Sequence, residues 1–359
     1  MNDLIKDHRV LICAGTGGVG KTSLSASLGV CAAREGLRVL VLTIDPAQRL
    51  AQALGIAKQP GEEVNVQAVP GLSAAMMDPR REFDEFVLGS VDKGIAKPLF
   101  NNRLYQQLVG NLSGSQEFTS LVHLLKAARS RKYDLVILDT PPTQNAVDFL
   151  RAPERIYALF QDTVIGWFSN PTTNGNWIKR TFHRGTRIVM AALEAVTGSS
   201  FIAELKDFFS HISHLQGKIA AVSQEVSELL HDKTTGFLLV TGFDETKLRE
   251  ALEFQQDLAA EKLNLRAVIV NRWFPEWAEG ESEWPASWGT QSEFQQLQEF
   301  HEEFSAYFKL RQEQYERFVS QLGENVPVIK LPDFKNNVQG VDDLGQVAET
   351  LKDKWRSKV

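Results

Sequence analysis

Short, mainly apolar runs alternate along this chain with longer stretches in which apolar residues recur at helical spacing. The runs are Val10–Ala14, Arg38–Ile44, Tyr133–Asp139, Gly236–Thr241 and Arg266–Val270. Strands apolar on both faces belong to parallel sheets covered by helices, so the pattern predicts an α/β fold. Thr22 to Ala33 is small, apolar and free of proline, which predicts a helix closed by Glu35-Gly36. Residues 64–77 predict two short strands around Pro70-Gly71. From 78 to 132 the spacing turns helical through Phe83, Phe86 and Val87, then Leu104, Leu108 and Leu112. Gly114–Glu117 interrupts it before Leu121, Leu124 and Leu125. Residues 150–233 are helical again and aromatic-rich, with a polar loop at Asn170–Asn176. The expected organisation is one domain over 1–359 with a helical subdomain built from about 78–132 and 150–233.

Further on, a helix is expected over 245–263 and a long amphipathic one over 294–322. The stripe of the second holds Leu297, Phe300, Phe304, Phe308, Tyr315, Phe318 and Leu322. Trp273 to Thr290 carries four tryptophans, acids and two prolines, and reads as an irregular surface excursion. Val326–Pro332 reads as a last, peripheral strand. The tail from Val341 places Leu344, Val347, Leu351 and Trp355 on one helical face. That face either docks back on the domain or lies on a membrane; its mixed charge favours docking.

The composition is that of a soluble globular protein of 359 residues, with 43% hydrophobic and 23% charged residues. A net charge of −6 argues against nucleic acid as a partner. Met1–Arg9 has no apolar stretch of the signal-peptide kind, and no run reaches the length of a membrane span. The two cysteines, Cys13 and Cys31, fall in the first strand and first helix, as packed residues suited to a reducing cytoplasm.

The chemistry gathers at the ends of the strands. Gly15-Thr16-Gly17-Gly18-Val19-Gly20-Lys21-Thr22 fits G-x-x-x-x-G-K-[ST] between a strand and a helix, a loop that binds phosphates. Glycines turn backbone N–H groups inward, and the helix N-terminus adds partial positive charge. Lys21 is expected at the β- and γ-phosphates, and the Thr22 hydroxyl on Mg²⁺. Asp45-Pro46 ends the second strand at the edge where open α/β sheets bind ligands, although Asp45 also reads as a helix N-cap. Asp139 ends a strand of four aliphatic residues, where a carboxylate can anchor the water shell of Mg²⁺. The stiff Thr140-Pro141-Pro142-Thr143 follows.

Together these segments resemble the ArsA-like P-loop ATPases, the family of the arsenite-pump ATPase and the tail-anchored-protein-targeting ATPase. The Gly15–Thr22 loop is similar to their deviant Walker A. Asp45-Pro46-Ala47-Gln48-Arg49-Leu50 resembles their first switch, and Asp139-Thr140-Pro141-Pro142-Thr143-Gln144-Asn145 their second. Leu331-Pro332-Asp333 through Val338-Gln339-Gly340-Val341 resembles their closing segment. The resemblance implies a mostly parallel P-loop NTPase sheet flanked by helices, ATP and Mg²⁺ as cofactors, and a cytoplasmic homodimer. It implies that Gly15 to Ser23, with Lys21, hold the phosphates. Asp45 would activate the attacking water, and Thr22, Asp45 and Asp139 would serve the metal. Pro142 would lie near the γ-phosphate, and Asn271, Arg272, Pro332 and Asp333 would hold the adenine.

Departures from the family are specific. Thr16 stands where the class carries a signature lysine, and Gln144-Asn145 replaces a histidine-bearing end of the second switch. Arg49 is either a replacement cation or a solvated helix residue. No C-x-x-C pair or cysteine cluster is present. The first expectation is therefore an Mg²⁺-dependent ATPase whose cycle opens and closes a dimer. Alternatives are a nucleotide-gated chaperone with an apolar groove around Trp167, Phe168 and Phe201, a positioning ATPase at a membrane, and an oxyanion pump, for which the cysteines are ill placed.

Overall fold

The computed structural model describes residues 2–44, 49–57, 61–111, 115–140, 151–159, 199–274, 292–323, 326–334 and 338–356. The chain divides into two compact units, one of Met1–Met76, Ser130–Val147 and His231–Val359, the other of Met77–Arg129 and Asp148–Leu230.

The first unit is built on an eight-stranded sheet in the order β3-β4-β2-β5-β1-β6-β7-β8. The strands are β1 Val10–Gly15, β2 Val39–Thr43, β3 Glu63–Asn65, β4 Leu72–Met76, β5 Leu135–Asp139, β6 Thr235–Thr241, β7 Leu265–Trp273 and β8 Val328–Pro332. All pairings are parallel except β3 with β4. Every residue of β1, β2, β5 and β6 is buried, as the continuous apolar runs require. Chain leaving β1 heads for β2 on one side, and chain leaving β6 heads for β7 on the other. β1 and β6 are neighbours, so the sheet reverses its winding between them, and the crevice beyond their carboxyl ends is the place for a ligand.

The helix Lys21–Arg34 lies on this sheet with eleven of its fourteen residues buried. The helix Gly340–Arg356 shares one apolar core with it, through Leu344, Val347, Leu351 and Trp355 against residues such as Leu28 and Cys31. Lys352 Nζ pairs with Glu35 at 2.7 Å along the seam. The apolar stripe of the tail is thus consumed inside the unit and leaves nothing to face lipid. Trp355 is 3% exposed. Trp355→Ala is expected to cost about 3 kcal/mol in urea denaturation, the range for an aromatic removed from a core. A loss below about 1 kcal/mol would mean that this helix is only loosely held.

Two expectations about the aromatic segments need correction. Trp273 belongs to β7, not to a surface excursion. It is buried, with ring centroids 4.1 Å from Phe243 and 4.7 Å from Tyr315, and Lys330 Nζ lies 3.9 Å above its ring. A tryptophan in a proline- and acid-rich context looks solvent-facing, but an aromatic neighbourhood with a cation over the ring overrides that context. The helix Ser292–Gln321 holds the expected stripe only from Phe304 onward, where Phe304 meets Phe274 edge to face at 5.9 Å. Leu297 and Phe300 are 44% and 64% exposed. Residues 275–291, with Trp277, Trp284 and Trp288 among them, lie outside the described residues.

The second unit is helical throughout its described residues: Pro79–Leu88, Lys93–Asn101, Arg103–Asn111, Ser115–Arg129, Ala152–Leu159, Ser199–Ile212 and Gln216–His231. Pro79 at the first helical position and Asp78, accepting from the amides of Arg80 and Arg81 at 3.1 Å, start the first of them. Phe83, Phe86 and Phe118 form its core, Phe86 and Phe118 meeting edge to face at 5.6 Å. Phe208 is buried there as well. The aromatics Phe160, Trp167, Phe168, Trp177 and Phe182 lie outside the described residues.

Candidate functional site

β1 ends at Gly15, and Thr16 to Gly20 turn the chain back into the helix that begins at Lys21. The Lys21 ammonium is buried and donates to the carbonyls of Gly15 at 2.8 Å and Thr16 at 2.7 Å, so the side chain folds along its own loop. Asn271, on β7, donates from Nδ2 to the carbonyl of Val19 at 2.8 Å and holds the loop from the other side. Gly20 has φ of 92°, and a Cβ on it would stand 2.5 Å from Asn271 Nδ2. Glycine is therefore needed there for both conformation and space. Gly20 is also the helix N-cap and supplies no side-chain acceptor. The amides of the first turn keep their donors directed at whatever anion the loop receives.

Thr16 is buried, and its Oγ1 finds no hydrogen-bond partner among the described residues. A buried hydroxyl without a partner is rare, and beside phosphate-directed amides it fits a phosphate oxygen. Gly17 and Gly18 are exposed at the loop tip, with Val19 buried behind them.

At the foot of the loop, Thr22 Oγ1 lies 2.7 Å from Asp139 Oδ2, and Thr43 Oγ1 lies 2.9 Å from the same oxygen. Asp139 is 1% exposed. Thr140 bonds from both its amide and its hydroxyl to the carbonyl of Cys13, which locks the end of β5 to β1. The sheet register sets Thr43, Asp139 and Cys13 in one row across β2, β5 and β1. Burial, with Asp139 adding to it, pushes the Cys13 thiol up to about 12, so it stays neutral and inert beside the carboxylate. The hydroxyl and carboxylate oxygens are hard donors. They suit Mg²⁺, which takes one or two protein oxygens and fills its octahedron with phosphate and water. Among the described residues no three or more His, Cys, Asp or Glu gather into a metal cage.

Beside the loop opens a cleft of about 910 Å³. Of the residues anticipated for nucleotide, Gly20, Ser23, Asn271, Arg272 and Asp333 line it. Pro332, the end of β8, stands in register with Trp273, and the Asp333 amide donates to the Trp273 carbonyl at 3.0 Å. This fixes the turn into the cleft wall. Arg272 has φ of 58°, a left-handed conformation uncommon for a side chain of its size. Arg49 lines the cleft too, one helical turn before Gln52 on the helix Arg49–Leu54. Leu24, Leu331 and Phe334 give the cleft an apolar side, so an apolar slot adjoins a phosphate loop. Asp45, Pro46, Pro142, Gln144 and Asn145 lie outside the described residues.

Thr43, Gln52 and Phe334 were not singled out from sequence. Thr43 left one trace, a lone hydroxyl in the aliphatic run Val39 to Ile44. Gln52 could have been found from Arg49 by i, i+3 spacing. Nothing local marked Phe334.

Comparison with known proteins agrees with this geometry. The sequence model of the family described as anion-transporting ATPase matches residues 8–353. The chain is 24% identical over 353 residues to a putative arsenical pump-driving ATPase 1 of Aquifex aeolicus, covering 96% of this chain and 78% of that protein. It is 25% identical over 350 residues to ATPase GET3 of Malassezia globosa, covering 96% and 91%. It is 22% identical over 344 residues to ATPase ASNA1 homolog 2 of Paramecium tetraurelia, covering 95% and 92%. With its phosphate loop, its parallel sheet and a family match over almost its whole length, the chain belongs to the anion-transporting ATPases of the ArsA type.

Proposed function

We propose that this ATPase binds ATP with its phosphates in the Gly15–Ser23 loop and its adenine in the cleft walled by Asn271, Arg272 and Asp333, with Pro332 adjoining in the chain. Hydrolysis then depends on Mg²⁺ at Thr22 and Asp139. The observation that carries the proposal is the approach of Thr22 Oγ1 to Asp139 Oδ2, 2.7 Å, at the foot of a loop whose lysine is buried. Mg²⁺ bound there would neutralise charge on the β- and γ-phosphates. Lys21 and the loop amides orient the phosphates and oppose the charge that develops on them. Thr22 would supply the metal with an oxygen, and Asp139 would hold its water. Asp45, two positions after β2 in the sequence, would orient and activate the attacking water, with Pro142 near the γ-phosphate. The apolar side of the cleft excludes solvent from the base.

Names such as arsenical pump-driving ATPase suggest an oxyanion. Both cysteines of this chain are buried, one in a strand and one in a helix, which speaks against a thiolate site for arsenite. The resemblance to the tail-anchored-protein-targeting ATPase supports a cytoplasmic homodimer that the nucleotide cycle opens and closes, with an apolar helix of a membrane protein as client. No described helix is long and apolar enough to cross a membrane. The burial of the tail stripe argues against a lipid-bound positioning ATPase.

Phosphate release from ATP, with Mg²⁺ and with EDTA, tests the proposal. Turnover is expected only with Mg²⁺. Asp45→Asn is expected to lower it about 100-fold, the loss typical of a general base, while ATP affinity stays within about threefold. Equal turnover in wild type and Asp45→Asn would overturn the role given to Asp45.

A further inference from the structure

We infer that Thr43 is a positioning residue for the metal-supporting carboxylate, an assignment that rests on the role proposed for Asp139. Three observations carry it. Thr43 Oγ1 donates to Asp139 Oδ2 at 2.9 Å, and Thr22 Oγ1 donates to that same oxygen at 2.7 Å. Thr43 and Asp139 are each 1% exposed, so the hydrogen bond between them is not traded with bulk water. Thr43 and Asp139 are register partners on adjacent parallel strands, whose side chains share a face roughly 4.8 Å apart. The bond therefore needs no distortion of the sheet.

The two hydroxyls differ in what they are attached to. Thr22 rides on the phosphate-loop helix and is the residue assigned to the metal. Thr43 ends β2 and belongs to the rigid sheet. A carboxylate held by two donors on one oxygen has its rotamer set, and the sheet-borne donor keeps that rotamer while the loop-borne one serves the metal. Partners of this outer kind alter metal affinity by about 10- to 100-fold when removed. Thr43 is also two residues before Asp45. The same hydroxyl thus ties the metal-supporting carboxylate to the strand from which the 45–50 segment departs.

The test is Mn²⁺ binding, followed by the loss of its free-ion electron paramagnetic resonance signal, to full-length protein saturated with ADP. Thr43→Val keeps the shape and the strand preference and removes only the hydroxyl. Thr43→Ser restores it. The expected result is about a tenfold higher Mn²⁺ dissociation constant in Thr43→Val, a value within about twofold of wild type in Thr43→Ser, and unchanged ADP affinity in EDTA. Thr43→Ala carries the same expectation should Thr43→Val fail to fold. Wild-type Mn²⁺ affinity in both Thr43→Val and Thr43→Ala would overturn the inference and leave the proposed ATP site standing. Absence of ADP-dependent Mn²⁺ binding in wild type would overturn both.

Discussion

Lys21→Ala is expected to lower ATP turnover by about 10³-fold, the largest catalytic loss in this protein, at the upper end of what one preorganised donor contributes to a developing charge. The reason lies in the side chain's placement. Its ammonium is buried and lies along the loop, 2.8 Å from the Gly15 carbonyl and 2.7 Å from the Thr16 carbonyl. The charge is therefore held on the phosphate loop itself, where the arriving phosphate would meet it. Alanine removes the charge and also two donors from carbonyls that burial keeps from water. Some loss of stability should accompany the catalytic loss, about 1–3 kcal/mol by the cost of unsatisfied polar groups. Lys21→Arg should not rescue turnover, because a planar guanidinium cannot place a single point charge between two carbonyls on one loop. Phosphate-release kinetics on protein shown folded by circular dichroism is the measurement. Turnover within threefold of wild type would sink the assignment of Lys21.

Gly15→Ala should be the most destabilising single methyl that can be added near the site, costing more than about 4 kcal/mol and so leaving little or no folded protein. Gly15 ends β1 opposite Val240 of β6. A Cβ on it would sit 1.9 Å from the Val240 carbonyl oxygen, and its φ is 145°. Both obstacles are backbone and neither can rotate away. Relief would require separating β1 from β6, the two strands between which the sheet reverses its winding. Soluble yield and urea denaturation decide the matter. A loss under about 1 kcal/mol would mean the sheet can yield there, and that the loop is held elsewhere.

Much of this was legible in the sequence because the strands that matter are buried on both faces. β1, β2, β5 and β6 appear as unbroken apolar runs, and the phosphate loop and Asp139 sit directly at their ends. The helix at the tail was legible for a similar reason: its stripe from Leu344 to Trp355 has helical spacing, and the structure buries it. Legibility failed where a residue's environment comes from distant chain. Trp273 looked exposed beside prolines and acids, but Phe243, Tyr315 and Lys330 enclose it. Leu297 and Phe300 kept the period of a buried face although nothing among the described residues covers them fully. Thr43 looked like a strand residue, because its partner Asp139 lies 96 positions away. Phe334 and Gln52 reach one cleft from opposite parts of the chain, and no local pattern can announce such a meeting.

The helix Gly340–Arg356 covers the helix Lys21–Arg34, which carries the phosphate loop. During synthesis the loop helix leaves the ribosome long before its cover, and must wait with Leu28 and Cys31 open to solvent and to other chains. The first strand–loop–helix unit therefore cannot mature as an independent nucleus. A nascent chain lacking its final helix should be recognised by holding chaperones and show no protection of the Lys21 backbone amide in pulsed hydrogen exchange. Nucleotide competence would then arise late and all at once, after residues 340–356 have been made.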